Sequence, residues 1–469
     1  MRLGVGALPL GALFLALAAW PAGASPPDVP ASQGVSLNQA LDLALRNYPS
    51  LRAAQARVSA AQAQVDLARA AYLPRADWLL QANRATLNNT TGLLLPQGPL
   101  PSLSGPVLDP LSATTDWGSA AGVLASWDVW DFGLKAANLE AARAEEDQTR
   151  ASATLTELEV QSQAANAFLS LLEARATVKA AQANLNRTQV FLATVRSLAE
   201  TGLRPGADLS RASAEVARAR IQLIQTTERE TAARHVLAQA LGVPEPGLSI
   251  RDSGLQHEPV VAILAAQPLS THPAARSQAF QMETVHTHLR AISASYWPTL
   301  ALKGALFARG SEAGPGASVG GGLIPSRPNA ALGLTMAMPL LDFPALQAKK
   351  RAEVANESRE RARYDELVLR LAEHEAEAEA TYRSAGEIAQ QTPALLEAAR
   401  TTDLQVETRY KAGLAPLTDV ADAQRLLTQA DVEDALARLR VWRALLTWSV
   451  ARGDLVPFRG ALASSQGDR

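Results

Sequence analysis

The sequence predicts a mixed, mainly α fold in which very long helices alternate with short strands and in which the whole unit is duplicated. One observation is a repeat of marker residues at the same internal spacing: Pro49, Tyr72 and Pro74 in the first half, and Pro273, Tyr296 and Pro298 in the second. A second is a seven-residue apolar period, which is typical of coiled-coil helices. The third is a set of four stretches with the alternation of one-sided β-strands.

The helical pattern begins at Ser36 and predicts one helix as far as Tyr72. Its apolar and alanine positions recur every seventh residue, at Leu37, Ala44, Leu51, Val58, Val65 and Tyr72. Two much longer helices are predicted over about Gly133–Thr201 and Pro344–Ala412, and at 1.5 Å per residue each reaches about 100 Å. Pro393 should kink or break the second, because proline removes a backbone donor.

The four strand-like stretches form two predicted hairpins, at about residues 74–130 and 298–342. Each strand is about ten to twelve residues long with one apolar face, which is typical of transmembrane β-strands, although a soluble hairpin sheet has a similar pattern. Four strands cannot close a barrel, since the smallest bacterial barrels have eight, and open edges are not tolerated in lipid. We therefore expect several copies of the chain to share one barrel. Two, three or four copies are all compatible with the sequence.

Residues 1–24 have the features of a secretory signal peptide: Arg2, an apolar run and the small residues Ala22-Gly23-Ala24. A retained anchor helix is the alternative. Residues 25–256 and 257–469 then form the two predicted repeats. The chain has no cysteine, which excludes disulfides and thiol chemistry, and its formal net charge of -2 gives no reason to expect a nucleic-acid partner.

Two turns and two dipeptides are the most specific local motifs. Gly202-Leu203-Arg204-Pro205 recurs as Gly413-Leu414-Ala415-Pro416, and Asp131-Phe132 recurs as Asp342-Phe343. With the repeated helix–proline–strand units, these motifs resemble the TolC-like outer membrane efflux proteins over essentially the whole mature chain. The resemblance implies a homotrimer whose twelve-stranded barrel, set in outer membrane lipid, continues as a helical tunnel across the periplasm. It also implies a closed far end that an inner-membrane transporter and its periplasmic adaptor open.

The resemblance also implies which residues close the tunnel. Tyr410, Asp419 and Asp422 match gate positions, and Asp208 matches the partner of that tyrosine in the neighbouring helix pair. Asp419 and Asp422 share a helix face, so three copies would place six carboxylates in a ring that favours cations and in which crowding raises some pKa values. The alternative interpretation is that Asp419 and Asp208 are helix N-caps and that Asp422 is an ordinary solvated residue.

One position departs from the family pattern. The best-known member has an arginine two residues after the second glycine, and here that residue is Ala415. We hypothesise that Arg204, at the equivalent place in the first turn, ties the entrance to Asp419 or Asp422 of a neighbouring chain. The turn residues themselves are the expected adaptor contacts: Gly202, Leu203, Gly413 and Leu414.

Motifs that suggest enzymes or metal sites have weak support. Gly316-Ala317-Ser318-Val319-Gly320 matches a nucleophile elbow, but it lies in a loop between strands. His286 and His288 point away from each other on a helix. We therefore expect no catalytic residue, cofactor or metal ion, and a passive outer membrane channel for efflux or type I secretion. The main alternative is a periplasmic coiled-coil scaffold, and the cargo leaves no readable pattern.

Overall fold

The computed structural model describes residues 34–86, 115–203, 205–244, 249–251, 255, 259, 267–311 and 321–467. The predicted signal peptide, most of the two inter-strand loops, the Gly316–Gly320 motif and Arg204 lie outside the described residues.

The described chain is mainly helical, as predicted, with one antiparallel sheet. The helices are α1 (Leu37–Asn47), α2 (Pro49–Ala70), α3 (Leu134–Glu200), α4 (Gly206–Leu241), α5 (Pro273–Ala294), α6 (Phe343–Lys411), α7 (Leu417–Ala451) and α8 (Val456–Gly467). The strands are β1 (Arg75–Thr86), β2 (Thr115–Trp130), β3 (Thr299–Ser311) and β4 (Arg327–Ala337). The order helix, two strands, long helix, returning helix therefore occurs twice.

The first predicted helix is in fact two helices. Tyr48 has ψ 126°, an extended conformation that ends α1, and Pro49 begins α2. The prediction of one helix from Ser36 to Tyr72 was wrong because a residue before proline is displaced from helical geometry. The apolar period continues across the break, which is why the pattern alone did not reveal it.

The two long helices have nearly the predicted bounds, but Pro393 does not break α6. The helix continues for 69 residues with Pro393 inside it. Proline cannot donate to the carbonyl of Ala389, and the hydroxyl of Thr392 donates to that oxygen instead, at 3.3 Å. A neighbouring side chain thus satisfies the acceptor that the missing N–H leaves.

The sheet has the order β1-β2-β3-β4, so β1 and β4 are its edges. One face carries large exposed apolar side chains: Trp78, Leu80, Val123, Trp127, Leu306, Leu332, Leu334 and Met336. The opposite face carries Arg75, Asp77, Gln81, Lys303, Arg309 and Arg327. A bulge between Asp128 and Trp130 keeps Trp130 in register with Leu300, on the apolar face.

The first Asp-Phe pair forms the junction between sheet and helices. The carboxylate of Asp131 accepts from the N–H of Gly133 at 3.1 Å and of Lys135 at 2.8 Å, which caps the start of α3. Phe132 has φ 52°, an unusual conformation for a side chain of this size. Its ring stacks on Trp297 at 5.8 Å and meets Trp130 edge-on, so aromatic packing holds the junction.

The largest apolar core lies where α1, α3, α4, α7 and α8 meet. Trp442, Phe168 and Phe458 are fully buried there, and the Trp442 and Phe458 rings lie edge-to-face at 6.1 Å. Helix α8 was not predicted, because its short apolar pattern follows the Arg452–Gly453 turn without a repeat in the first half. It covers one end of the core.

Candidate functional site

The two predicted turns form the tips of the helical hairpins α3–α4 and α6–α7. Gly202 has φ 74° and Gly413 has φ 82°, both in the left-handed region that glycine tolerates. The N–H of Leu203 donates to Leu198 and that of Leu414 to Arg409, as in a Schellman helix end. This geometry leaves Leu203 and Leu414 about equally exposed, at 71% and 70%.

Two of the predicted gate residues meet between these tips. The hydroxyl of Tyr410, at the end of α6, donates to Oδ2 of Asp208, in the first turn of α4, at 3.1 Å. Tyr410 is fully buried and its ring packs against Phe191 of α3 at 5.4 Å between centroids. One polar contact within an apolar cluster therefore fixes the second hairpin tip to the first.

The apolar cluster around Tyr410 gathers residues from both hairpins. Its buried members are Phe191, Val195, Ala212, Tyr410, Ala415, Leu417 and Val420. Ala415 is only 7% exposed, so a longer side chain at this position would have to displace its neighbours. The site where the family pattern has arginine is therefore a packing position within this chain.

Neither aspartate proposed as an N-cap is one. Pro205 and Pro416 occupy the N-cap positions of α4 and α7, and no side-chain cap bond forms at either helix. Asp208 and Asp419 are the third residues of their helices, within the first turn, where a negative charge interacts favourably with the helix dipole. The N-cap interpretation is thus wrong for both.

Asp419 and Asp422 lie on the exposed surface of the first turns of α7. Asp422 pairs with Arg425 at 3.1 Å, and both side chains are more than 70% exposed. Asp419 accepts weakly from Thr418 at 3.4 Å. In the described part of one chain both carboxylates have only these exposed local contacts, and their role in a gate stays a prediction, as does that of Arg204.

A polar layer further along the hairpins was missed by the sequence argument. Arg187 of α3 donates to Asp431 of α7 at 2.9 Å and to Thr428 at 3.2 Å. The Thr428 hydroxyl in turn donates to the side-chain oxygen of Asn184 at 2.9 Å. Each of these residues is an isolated polar residue in an alanine-rich helix, and no sequence signal pairs positions so far apart.

Asp403 of α6 lies beside this layer. Its Oδ1 is buried and has no hydrogen-bond partner among the described residues. Burial raises the pKa of Asp403 above its ordinary value, and the nearby carboxylates of Glu407 and Asp431 add to this effect, while Arg187 opposes it. Asp403 Oδ1 and Nε of Arg187 are both buried without a hydrogen-bond partner among the described residues, so this layer is only partly satisfied.

The histidines set aside as metal ligands have carboxylate neighbours. His286 lies 3.1 Å from Glu357, and His288 lies 3.9 Å from Glu353, so the two bind different residues of α6. Within the described residues, no group of three or more acidic or histidine side chains is close enough to hold a metal ion. None of the described helices has the length and apolar character required to cross a membrane.

The comparison with protein families agrees with this architecture. The outer membrane efflux protein family matches residues 40–243 and 265–453, one segment in each half of the chain. The chain belongs to the outer membrane efflux protein family. The resemblance found in the turns and the Asp-Phe pairs is therefore confirmed, and the family consists of transport channels.

Two curated members of the outer membrane efflux family cover most of the chain. The pyoverdine export outer membrane protein OpmQ of Pseudomonas aeruginosa is 26% identical over 411 residues, which span 87% of this chain and 82% of OpmQ. The protein CyaE of Bordetella pertussis is 25% identical over 441 residues, 93% of this chain and 87% of CyaE.

A solved outer membrane protein supports the fold. VceC of Vibrio cholerae superposes with a TM-score of 0.73 at 18% identity, over 89% of this chain and 96% of VceC. At this identity the likeness concerns the fold only.

Proposed function

We propose that this protein is the outer membrane channel of a tripartite efflux or type I secretion system and conducts substrates passively from an inner-membrane pump to the exterior. In this proposal it is not an enzyme, and its helical part forms a tunnel in the periplasm. Membership of the outer membrane efflux family supports the general function.

The observation that carries the proposal is the exposed apolar face of the sheet. Trp78 is 72% exposed, Leu332 79% and Met336 65%, and a continuous exposed apolar face marks a surface that contacts a membrane or another protein. The strands are 11 to 16 residues long, enough to cross a bilayer when tilted. Lipid would cover this face, and the polar face would line a pore.

The free edges of the sheet support assembly into a trimer. In the sheet of the described residues, both β1 and β4 have backbone groups without a neighbouring strand, and unpaired backbone groups are not tolerated in lipid. Three copies would supply twelve strands and close the barrel, in keeping with the family resemblance. The long helices would then stand together on one side of the membrane and form the tunnel.

The gate follows from the contact between hairpin tips. The bond from Tyr410 to Asp208 would hold α6 and α7 against α3 and α4 in the closed state. Asp419 and Asp422 of three copies would line the entrance, and Arg204 would reach across to a neighbouring chain. The exposed Leu203 and Leu414, held by Gly202 and Gly413, are the proposed contacts for a periplasmic adaptor.

Single-channel recording in a planar bilayer, preceded by membrane fractionation, tests the proposed function. The protein should sediment with outer membranes, resist carbonate extraction and insert as trimers that conduct ions. A water-soluble protein that is released by carbonate and gives no conductance would instead support the periplasmic scaffold and overturn the proposal.

A further inference from the structure

The polar face of the sheet has an uneven charge distribution along the strands. Gln81 of β1, Ala120 of β2, Arg309 of β3 and Arg327 of β4 lie side by side in one row. Gln81 follows Arg75, at the helical end of β1, by six positions, so this row lies about 20 Å from the helices. Two guanidinium groups thus stand next to each other near the far end of the sheet.

The two arginines are direct cross-strand neighbours. Like charges in such a pair repel each other and destabilise the sheet. Among the residues that the structure describes, neither guanidinium has a carboxylate partner. No described carboxylate therefore neutralises these two positive charges.

Arg84, three residues beyond Gln81 in β1, shows that an arginine near this end of the sheet can be satisfied. It lies on the opposite face of the sheet, where its Nε donates to Thr115 at 2.8 Å. Its guanidinium also covers the ring of Trp117 at 5.5 Å from the centroid. Among the described residues, contacts of this kind are found for Arg84 and not for Arg309 and Arg327.

We propose that Arg309 and Arg327 form a cationic ring near the outer end of the pore and make that end selective for anions. This inference rests on the proposed trimeric barrel, in which three copies place six guanidinium groups around one lumen. Rings of charged side chains set the ion preference of pores. The favoured solutes are small or medium-sized anions that carry carboxylate, phosphate or sulfonate groups.

The Lys303 side chain extends the same preference towards the helices. It lies on the polar face between Ser126 and Gly333, and it also has no acidic partner among the described residues. Arg75, in the same row, is paired with Asp77 at 3.2 Å and adds little net charge. The positive charge of the polar face is therefore concentrated in β3 and β4.

The test is the reversal potential of the trimeric channel in a planar bilayer under a potassium chloride gradient. In water a unit charge about 10 Å from a passing ion changes the local ion concentration about twofold. The variant Arg309→Gln with Arg327→Gln should accordingly lower the chloride-to-potassium permeability ratio by at least about twofold at low salt, and by less at high salt. The control Arg84→Gln, near the same end of the sheet but on the other face, should leave the ratio unchanged.

A second variant protects the test against misfolding. The chain has no cysteine, so Arg327→Cys can be labelled at one position only. A cationic methanethiosulfonate should restore the parent ratio, and an anionic one should lower it below that of the unlabelled variant.

The outcomes separate this inference from the proposed function. A parent protein that gives no channels would overturn the proposed function. Normal channels whose ratio is unaffected by the double variant and by both labels would overturn the cationic ring. An equal shift in Arg84→Gln would also overturn it, because the effect would then not come from the polar face.

Discussion

The hydroxyl of Tyr410 donates to Oδ2 of Asp208 over 3.1 Å and thereby joins residues 202 positions apart in the sequence. Tyr410 lies in the last turn of α6 and Asp208 in the first turn of α4, so the bond connects the two helical hairpins at their tips. The phenol ring is fully buried against Phe191. Because apolar packing fixes the ring, loss of the hydroxyl should remove the polar link without removing the contact.

Tyr410→Phe should therefore loosen the tips with little loss of fold. We expect a cost of about 1 kcal/mol in stability and a higher single-channel conductance or open probability. Tyr364→Phe, the same change elsewhere in α6, is the control and should match the parent. Asp208→Asn keeps an acceptor oxygen and should fall between the two. Conductance equal to that of the parent in Tyr410→Phe would contradict a role of this bond in closure.

Replacing glycine by alanine should lower stability at the tip residue Gly413 and raise it at Gly386 inside α6. Gly413 has φ 82°, and a side chain in this left-handed conformation costs roughly 1–2 kcal/mol. Gly386 lies inside α6 with open space around it, so alanine there should add roughly 0.5–1 kcal/mol. Thermal unfolding followed by circular dichroism should show Gly413→Ala below the parent and Gly386→Ala above it. Equal melting of the two variants would show that the tip conformation is not required.

Local patterns in the sequence predicted the helix ends at these tips and the positions of the strands. Gly202 and Gly413 stop their helices through backbone geometry alone, which a sequence shows directly. Alternation of apolar residues located the strands, because one face of the sheet is apolar along most of its length. The break at Tyr48 was equally local and could have been found from Pro49, but the continuing seven-residue period concealed it.

Local sequence patterns did not predict the contacts between the two hairpins. The partnership of Tyr410 with Asp208 came only from the family resemblance. The pairing of Arg187 with Asp431 was not predicted at all, since it depends on how two separate hairpins pack. Long-range register between helices is set by the summed packing of many small side chains. An isolated charge among alanines carries no information about which helix will face it.

We expect the stability of the protein to fall in acid because of His272, at the start of α5. Its Nδ1 accepts from the N–H of Ala274 at 3.1 Å, and its Nε2 lies 3.3 Å from the carbonyl of Val450, so the ring serves both contacts in its neutral form. Burial lowers the pKa of His272 below 6.5, and the bond to Val450 only partly opposes this. The contribution of His272 to the free energy of unfolding is thus fully present above pH 6.5. It is lost as the pH falls through the lowered pKa.

Replacing His272 with asparagine tests that sensitivity, because asparagine is a good N-cap that does not titrate. The melting temperature of His272→Asn should fall less than that of the parent between neutral pH and about pH 5. His374→Asn, at an exposed position of α6, should keep the pH dependence of the parent. An unchanged dependence in His272→Asn would assign the acid sensitivity to other groups.

We expect the stability contribution of Asp403 to have the opposite pH dependence. Burial, with Glu407 and Asp431, raises the pKa of this carboxyl above its ordinary value of 3.8. The folded state therefore binds the proton more tightly than the unfolded state, and this group's contribution to stability falls as the pH rises from 3.8 through the raised value. At neutral pH the ionised carboxylate, with a buried oxygen that lacks a donor, should be destabilising.

Asp403→Asn should accordingly raise the melting temperature at neutral pH, because the amide removes the charge and can donate to Glu407 or Asp431. The gain should shrink on acidification, since the parent carboxyl is then protonated. Asp365→Asn, at an exposed position of the same helix, should change the melting temperature little at either pH. A lower melting temperature of Asp403→Asn at neutral pH would mean that attraction to Arg187 outweighs burial, and the carboxylate would then stabilise the layer that joins α3 to α7.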